Sequence, residues 1–132
     1  MAFLIHSVDD GHVPAWEYLP CAAITPKVGM ALIQSSGKLA IATGTNKPKY
    51  ISMAEKSAAC ASGDIIPVFR VDPDMIFETT FSESASGVSL GQSVTLHASS
   101  GMQVTGVTTS GVAEVVYMDG TGSGSMCRVR FA

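Results

Sequence analysis

The sequence predicts an all-β protein, a small β-barrel or sandwich of about nine short strands. From Val28 onward, short runs rich in Val, Ile, Thr and aromatic residues alternate with clusters of Gly, Ser and Asn, which is typical of strands separated by turns. The same Ser-Ser-Gly turn occurs twice, and glycine supplies the positive φ of a tight hairpin. The single Ala-rich segment, 54–61, is too short for more than one helical turn.

Residues 1–27 are predicted to form an extended N-terminal arm, and residues 28–132 the β domain. Pro14, Pro20 and Pro26 make this arm a poor helix and at best an interrupted edge strand. Trp16 and Tyr18 lie among these prolines, so we expect the arm to pack against its own β domain or against a neighbouring molecule.

The strands of the β domain follow in chain order, each bounded by turn residues. A strand, the first Ser-Ser-Gly turn and a second strand open the domain, and the pattern recurs towards the C-terminus. The predicted strands are Met30–Gln34, Lys38–Ala42, Tyr50–Met53, Ile65–Val71, Met75–Phe81, Ser93–His97, Gln103–Val107, Ala113–Met118 and Met126–Phe131.

Residues 28–71 and 88–131 repeat one order of elements, which predicts an internally duplicated pair of four-stranded units. Each has a strand, a Ser-Ser-Gly turn, a strand, a loop, a strand, a loop of small residues and a strand. One such unit cannot bury its faces or protect its edges, whereas two units can share a core. The strand Met75–Phe81 joins them.

Composition limits the kind of protein. The chain has 132 residues, enough for one domain, and is 46% hydrophobic and only 14% charged, where about 25% is usual. A surface so poor in charge suggests burial against a partner. The net charge of -3 does not suggest a nucleic-acid-binding protein.

The sparse cysteines suit a protein made in a reducing cytoplasm. Cys21, Cys60 and Cys127 are far apart and are expected to be buried apolar side chains, not a disulfide framework. The N-terminus lacks the basic region of a secretion signal, and no run approaches the ~20 apolar residues of a membrane span.

The residues supply no reaction, so we predict no catalytic, metal or cofactor site. There is no Gly-x-Ser-x-Gly, and nothing in the sequence places His97 beside a nucleophile. His6 and His12 flank Asp9 and Asp10, but their spacing matches no known metal-ligand pattern. The glycine-rich loops lack the phosphate-binding and dinucleotide-binding signatures.

The stretch AWEYLPCAAITPKVGMALIQSSGKLAIATGTNKPKYISMAEK, with GDIIPVFRVDPDMIFETTF after it, resembles a family of small proteins. These are encoded in phages and prophages of gut Firmicutes, usually near the major capsid protein, and are regarded as head-decoration or other virion structural proteins. The resemblance extends over nearly the whole chain and rests on turn and strand motifs, not on catalytic ones.

This resemblance implies a non-enzymatic virion protein, made in the host cytoplasm, that binds and stabilises the capsid. Its partners would be the major capsid protein or other virion proteins and further copies of itself, without nucleic acid, membrane or cofactor. Trp16, Tyr18 and Leu19 are the expected interface residues, through strand addition or anchoring of Trp16 in a pocket. A carbohydrate- or receptor-binding β module and a tail or head-completion component remain the alternatives.

Overall fold

The computed structural model describes residues 2–8 and 15–131, and in this part of the chain it is all-β. Ten strands form two antiparallel five-stranded sheets. The described residues form no helix, and therefore no helix that could span a membrane. The all-β prediction is confirmed. The sheets are not closed into a barrel, so a sandwich is the predicted architecture that fits. The strands are β1 (Leu4–Val8), β2 (Trp16–Pro20), β3 (Ala31–Ser35), β4 (Lys38–Ile41), β5 (Tyr50–Ser52), β6 (Ile65–Arg70), β7 (Met75–Thr80), β8 (Ser93–Val94), β9 (Ala113–Met118) and β10 (Met126–Arg130).

The N-terminal sheet has the order β2-β6-β5-β3-β4, and the C-terminal sheet has the order β1-β7-β10-β9-β8. The region predicted as an arm therefore contributes one edge strand to each sheet. Phe3, just before β1, is buried, and its ring meets the ring of Phe131 at a centroid distance of 5.3 Å. The described part of residues 1–27 thus packs on the two sheets of its own chain.

One predicted strand, Gln103–Val107, is much reduced. Val104 forms single bridges with Leu96 on one side and Phe81 on the other. Its neighbours bond to the Leu96 side as well, since Gln103 O accepts from His97 N–H and Thr105 N–H donates to Thr95 O, both at 2.9 Å. The register then shifts, because Thr95 N–H donates to Val107 O (3.0 Å) and not to Thr105 O, so a longer ladder does not form. The remaining predicted strands each have a counterpart in the structure, with ends that differ by a few residues.

The two sheets have the same topology when β2, β6, β5, β3 and β4 are matched to β7, β10, β9, β8 and the Val104 bridge. Each unit thus has one more strand than the four predicted, supplied by β2 in one unit and by β7 in the other. Matching backbone hydrogen bonds support this correspondence. In the first unit Cys21 N–H donates to Asp64 O (2.8 Å), and in the second Phe81 N–H donates to Ser125 O (3.0 Å). One residue later, Ala22 N–H donates to Leu39 O (2.9 Å) in the first unit, and Ser82 N–H donates to Val104 O (2.8 Å) in the second.

The larger of two apolar cores lies between the sheets. Phe69 of the N-terminal sheet stacks on Phe77 of the C-terminal sheet, with centroids 6.3 Å apart and an interplanar angle of 11°. Ala31 and Ile51 share this face of the N-terminal sheet and are fully buried in the same core. Sheet-on-sheet burial of this kind stabilises a sandwich through the hydrophobic effect.

A second core covers the opposite face of the N-terminal sheet. It contains Leu32, Leu39 and Val68, over which the loops that carry Cys21 and Cys60 are packed. Cys60 N–H donates to Ile24 O and Gly63 N–H donates to Cys21 O, both at 2.8 Å, so these loops are bonded to each other. The N-terminal sheet is therefore buried on both faces over most of its area.

Gly29 and Gly91 occupy equivalent positions, two residues before β3 and two residues before β8. They provide a test of how the segment that leads into β1 packs against the N-terminal sheet. Both have positive φ (+81° and +91°), which costs an L-residue about 1–2 kcal/mol. A Cβ at Gly29 would also clash with Ala2 Cβ, whereas one at Gly91 would meet nothing within 4 Å. We expect Gly29→Ala to lower the free energy of unfolding by about 1–3 kcal/mol more than Gly91→Ala does. Urea denaturation measures both, and equal losses would contradict the packing described for β1.

Candidate binding surface

An exposed apolar surface lies on the outer part of the N-terminal sheet. β2 and β6 pair in regular register, with Trp16 opposite Phe69, Tyr18 opposite Pro67 and Pro20 opposite Ile65. Directly paired residues share a face, so these side chains lie on the face that packs against the C-terminal sheet. That sheet covers Phe69 but not the strand edge, and the exposed fractions are 54% for Trp16, 65% for Tyr18 and 58% for Ile65. We call Trp16, Tyr18, Ile65 and Pro67 the aromatic face.

An open pocket of about 200 Å³ adjoins the aromatic face. Phe69 and Met53 belong to its wall, and both are next to the aromatic face, since Met53 N–H donates to Pro67 O at 2.9 Å. The other walls come from residues 3–5, from residues 28–29 and from residues 51–52 of β5, and the lining is almost wholly apolar. A cavity of ~150 Å³ holds benzene, whereas drug-sized ligands need about 300–1,000 Å³. The pocket therefore has room for one apolar side chain.

The charged side chains of β2 and β6 lie on the opposite face. Glu17 and Arg70 form an ion pair there at 3.4 Å. Arg70 also donates to the Tyr50 hydroxyl at 3.0 Å and lies 5.1 Å from the centroid of that ring. These two strands thus present apolar side chains on one side and paired charges on the other. An exposed apolar patch with polar surroundings is typical of a protein interaction site.

A loop contact holds one rim of the pocket. Val28 N–H donates to the Glu55 carboxylate at 3.0 Å, and Lys27 lies 3.2 Å from the same carboxylate. The backbone hydrogen bond, followed by Lys27, lowers the pKa of Glu55 below its ordinary value. The Glu55 carboxylate is therefore charged throughout the neutral pH range and keeps its hydrogen bond to Val28 N–H.

Two of the three predicted interface residues lie together on this surface. Trp16 and Tyr18 project from the same side of β2, as residues two apart in a strand do. Leu19 points to the opposite side and packs against the second core. Sequence reasoning missed the pocket, because its walls come from segments far apart in the chain. The only signal was the apolar run that contains Phe3, Leu4 and Ile5.

Among the polar residues considered as chemical candidates, His97 lies beside a turn. His97 Nδ1 lies 2.9 Å from the Ser100 hydroxyl, inside the second Ser-Ser-Gly turn. No group of three or more His, Cys, Asp or Glu side chains among the described residues could hold a metal ion. Asp9, Asp10 and His12 lie outside the described residues.

The cysteines are buried thiols. Burial raises the pKa of Cys127 to about 12. Burial and then the neighbouring Cys60 thiol raise the pKa of Cys21 to about 11. A thiol needs a lowered pKa and exposure to act as a nucleophile, so Cys21 and Cys127 are poor candidates.

Comparison with known protein families finds no family model that matches the chain, and a search of the curated proteins finds no match.

Thiol reactivity tests this account of the cysteines. At pH 8 the native protein should react with Ellman's reagent much more slowly than a free thiol does, because the three thiols are buried and the Cys21 and Cys127 pKa values are raised. In denaturant, all three thiols should react at the ordinary rate. A thiol that reacts at that rate in the native state would contradict the burial described.

Proposed function

We propose that the protein is a non-enzymatic structural protein of a phage virion, which binds the capsid and stabilises it as a decoration protein. The observation that carries this proposal is the aromatic face with its adjoining pocket, an exposed apolar surface free of charges from its own strands. The family resemblance of the sequence supports the choice of partner. In this proposal the partner is the major capsid protein or another virion protein, and the protein resides in the virion.

Physical chemistry favours a protein surface as the ligand of the aromatic face. Trp and Tyr are the residues that most often dominate binding energy at interfaces, where they act as rigid apolar anchors. A pocket of about 200 Å³ beside Trp16 would accept one apolar side chain of the partner. Binding to the assembled shell and not to its dissociated subunits stabilises the shell by mass action.

Co-sedimentation with capsids tests the proposal. The wild-type protein should saturate shells assembled from the major capsid protein of the same phage and raise their melting temperature. Trp16→Ala combined with Tyr18→Ala should weaken binding at least about tenfold, because two aromatic anchors are removed. Leu90→Ala is the matched control, since Leu90 is 61% exposed but lies outside the aromatic face.

Two outcomes would contradict the proposal. If the wild-type protein does not bind shells, decoration is wrong. If the double variant binds as well as the wild type does, docking through the aromatic face is wrong. Circular dichroism melts establish that each variant is folded before it is compared.

The single tryptophan provides a direct readout of docking. Trp16 is half exposed in the free protein, so its fluorescence should be readily quenched by acrylamide. Binding to capsid shells should shift the emission to shorter wavelength and protect it from quenching, because the indole leaves water. An unchanged spectrum in a saturated complex would show that Trp16 is not in the interface.

A second candidate function is carbohydrate binding, as a receptor- or glycan-binding module. Trp16 and Tyr18 lie side by side on one exposed strand face, an arrangement on which a sugar ring could stack. The paired charges of β2 and β6 are on the opposite face, which leaves few polar partners for sugar hydroxyls. A glycan screen tests this function, and binding that Trp16→Ala abolishes would favour it over capsid decoration.

A further inference from the structure

The equivalence of the two units reveals an open strand position beside β2. β7 is the counterpart of β2 in the C-terminal sheet, and the outer edge of β7 is paired along its length. β1 pairs with its first part, Met75–Glu78, and Val104 bridges to Phe81 just after its end. In the other unit, Leu39 bridges to Cys21 just after β2, but among the described residues no strand lies beside its first part.

The backbone of β2 directs hydrogen-bonding groups into this open position. Peptide groups alternate sides along a strand, and β2 pairs with β6 without a bulge. Cys21 N–H points to the β6 side, where it donates to Asp64 O, and Ala22 N–H points to the other side, where it donates to Leu39 O. Trp16 and Tyr18 are an even number of residues from Ala22, so their backbone N–H and C=O groups point to the same side as those of Ala22. They therefore face the open edge of β2.

We propose that a second copy of this chain fills the open position, with its β2 pairing antiparallel to the first β2 around Tyr18. An exposed edge of this kind is a template for pairing with another chain. The pairing joins two N-terminal sheets into one continuous sheet and produces a symmetric dimer. This inference goes beyond the proposed function and does not rest on it.

The sequence of β2 is compatible with pairing to itself. A twofold axis at Tyr18 places Tyr18 opposite the Tyr18 of the second copy, Trp16 opposite Pro20, and Glu17 opposite Leu19. Aromatic pairs stabilise neighbouring strands, and no like charges face each other in this register. The low net charge of -3 limits repulsion between copies.

The dimer keeps both aromatic faces on the same side. A twofold axis that relates antiparallel strands in one sheet runs perpendicular to the sheet, so the same face of each copy points the same way. The two sets of Trp16, Tyr18 and Ile65 would then form one larger apolar surface. A partner would meet it with two equivalent contacts, which raises affinity through effective concentration.

Analytical ultracentrifugation of two substitutions at one position tests the pairing, without any capsid present. Tyr18→Ala and Tyr18→Pro both remove the ring, but only proline removes the outward N–H. Pro20 already has an outward position in this strand, so we expect both variants to fold. The wild type should show a concentration-dependent monomer–dimer equilibrium. Tyr18→Pro should have a dimer dissociation constant about tenfold or more above that of Tyr18→Ala, because two symmetric hydrogen bonds are lost.

Cross-linking gives a second readout if a variant fails to fold. In the proposed register residue 18 lies opposite residue 18 of the second copy. The two Cα atoms are about 5.5 Å apart, a separation that suits a disulfide. Tyr18→Cys should therefore form a covalent dimer on mild oxidation, and the matched control Trp16→Cys should not. A wild-type protein that stays monomeric at all concentrations, equal dimerisation of the Ala and Pro variants, or no selective cross-link at residue 18 would each overturn the proposal.

Discussion

Unsatisfied backbone groups at sheet edges are the constraint on which this structure depends. A strand at the end of a sheet has N–H and C=O groups with no neighbour, and a protein must pair, cover or expose them. Here the outer edge of β7 is paired with β1. The residue just after β2 bridges to β4, and the residue just after β7 bridges to Val104. Among the described residues, no strand pairs with the outer edge of the first part of β2. The same strand carries the two most prominent exposed aromatic side chains, so the open edge and the apolar surface coincide.

This coincidence connects the architecture with the proposed function. Much of the N-terminal sheet is buried on both faces, but at its β2 and β6 margin the C-terminal sheet no longer covers it. The pocket beside that margin is walled by β1 and by Val28, so the way in which the N-terminal segment packs also shapes the candidate binding surface. Together, the open edge, the aromatic face and the pocket suit a protein that acts by docking.

The sequence allowed much of the fold to be predicted, because hairpins and alternation are local signals. Both Ser-Ser-Gly hairpins, the all-β class and the matching order of the two halves follow from them. The pairing of β1 and β2 with different sheets depends on partners far away in the chain, such as Phe69 opposite Trp16 and Glu78 opposite Leu4, and no local pattern encodes that choice. Val104 shows the converse, since its segment has strand-like composition but a register shift between Thr105 and Val107 leaves single bridges in place of a ladder. Alternation could have separated Leu19 from Trp16 and Tyr18, whereas the pocket, assembled from distant segments, could not have been found.

The central claim is that the interaction surface of this protein is centred on β2. Amide hydrogen exchange, measured for the free monomer at low concentration and for the protein bound to capsid shells, tests this claim most directly. The account predicts added protection at residues 15–19, 65–67 and around Val28, with none in the loop 84–92 on the other sheet. Protection confined to that loop, or spread evenly over the chain, would contradict it.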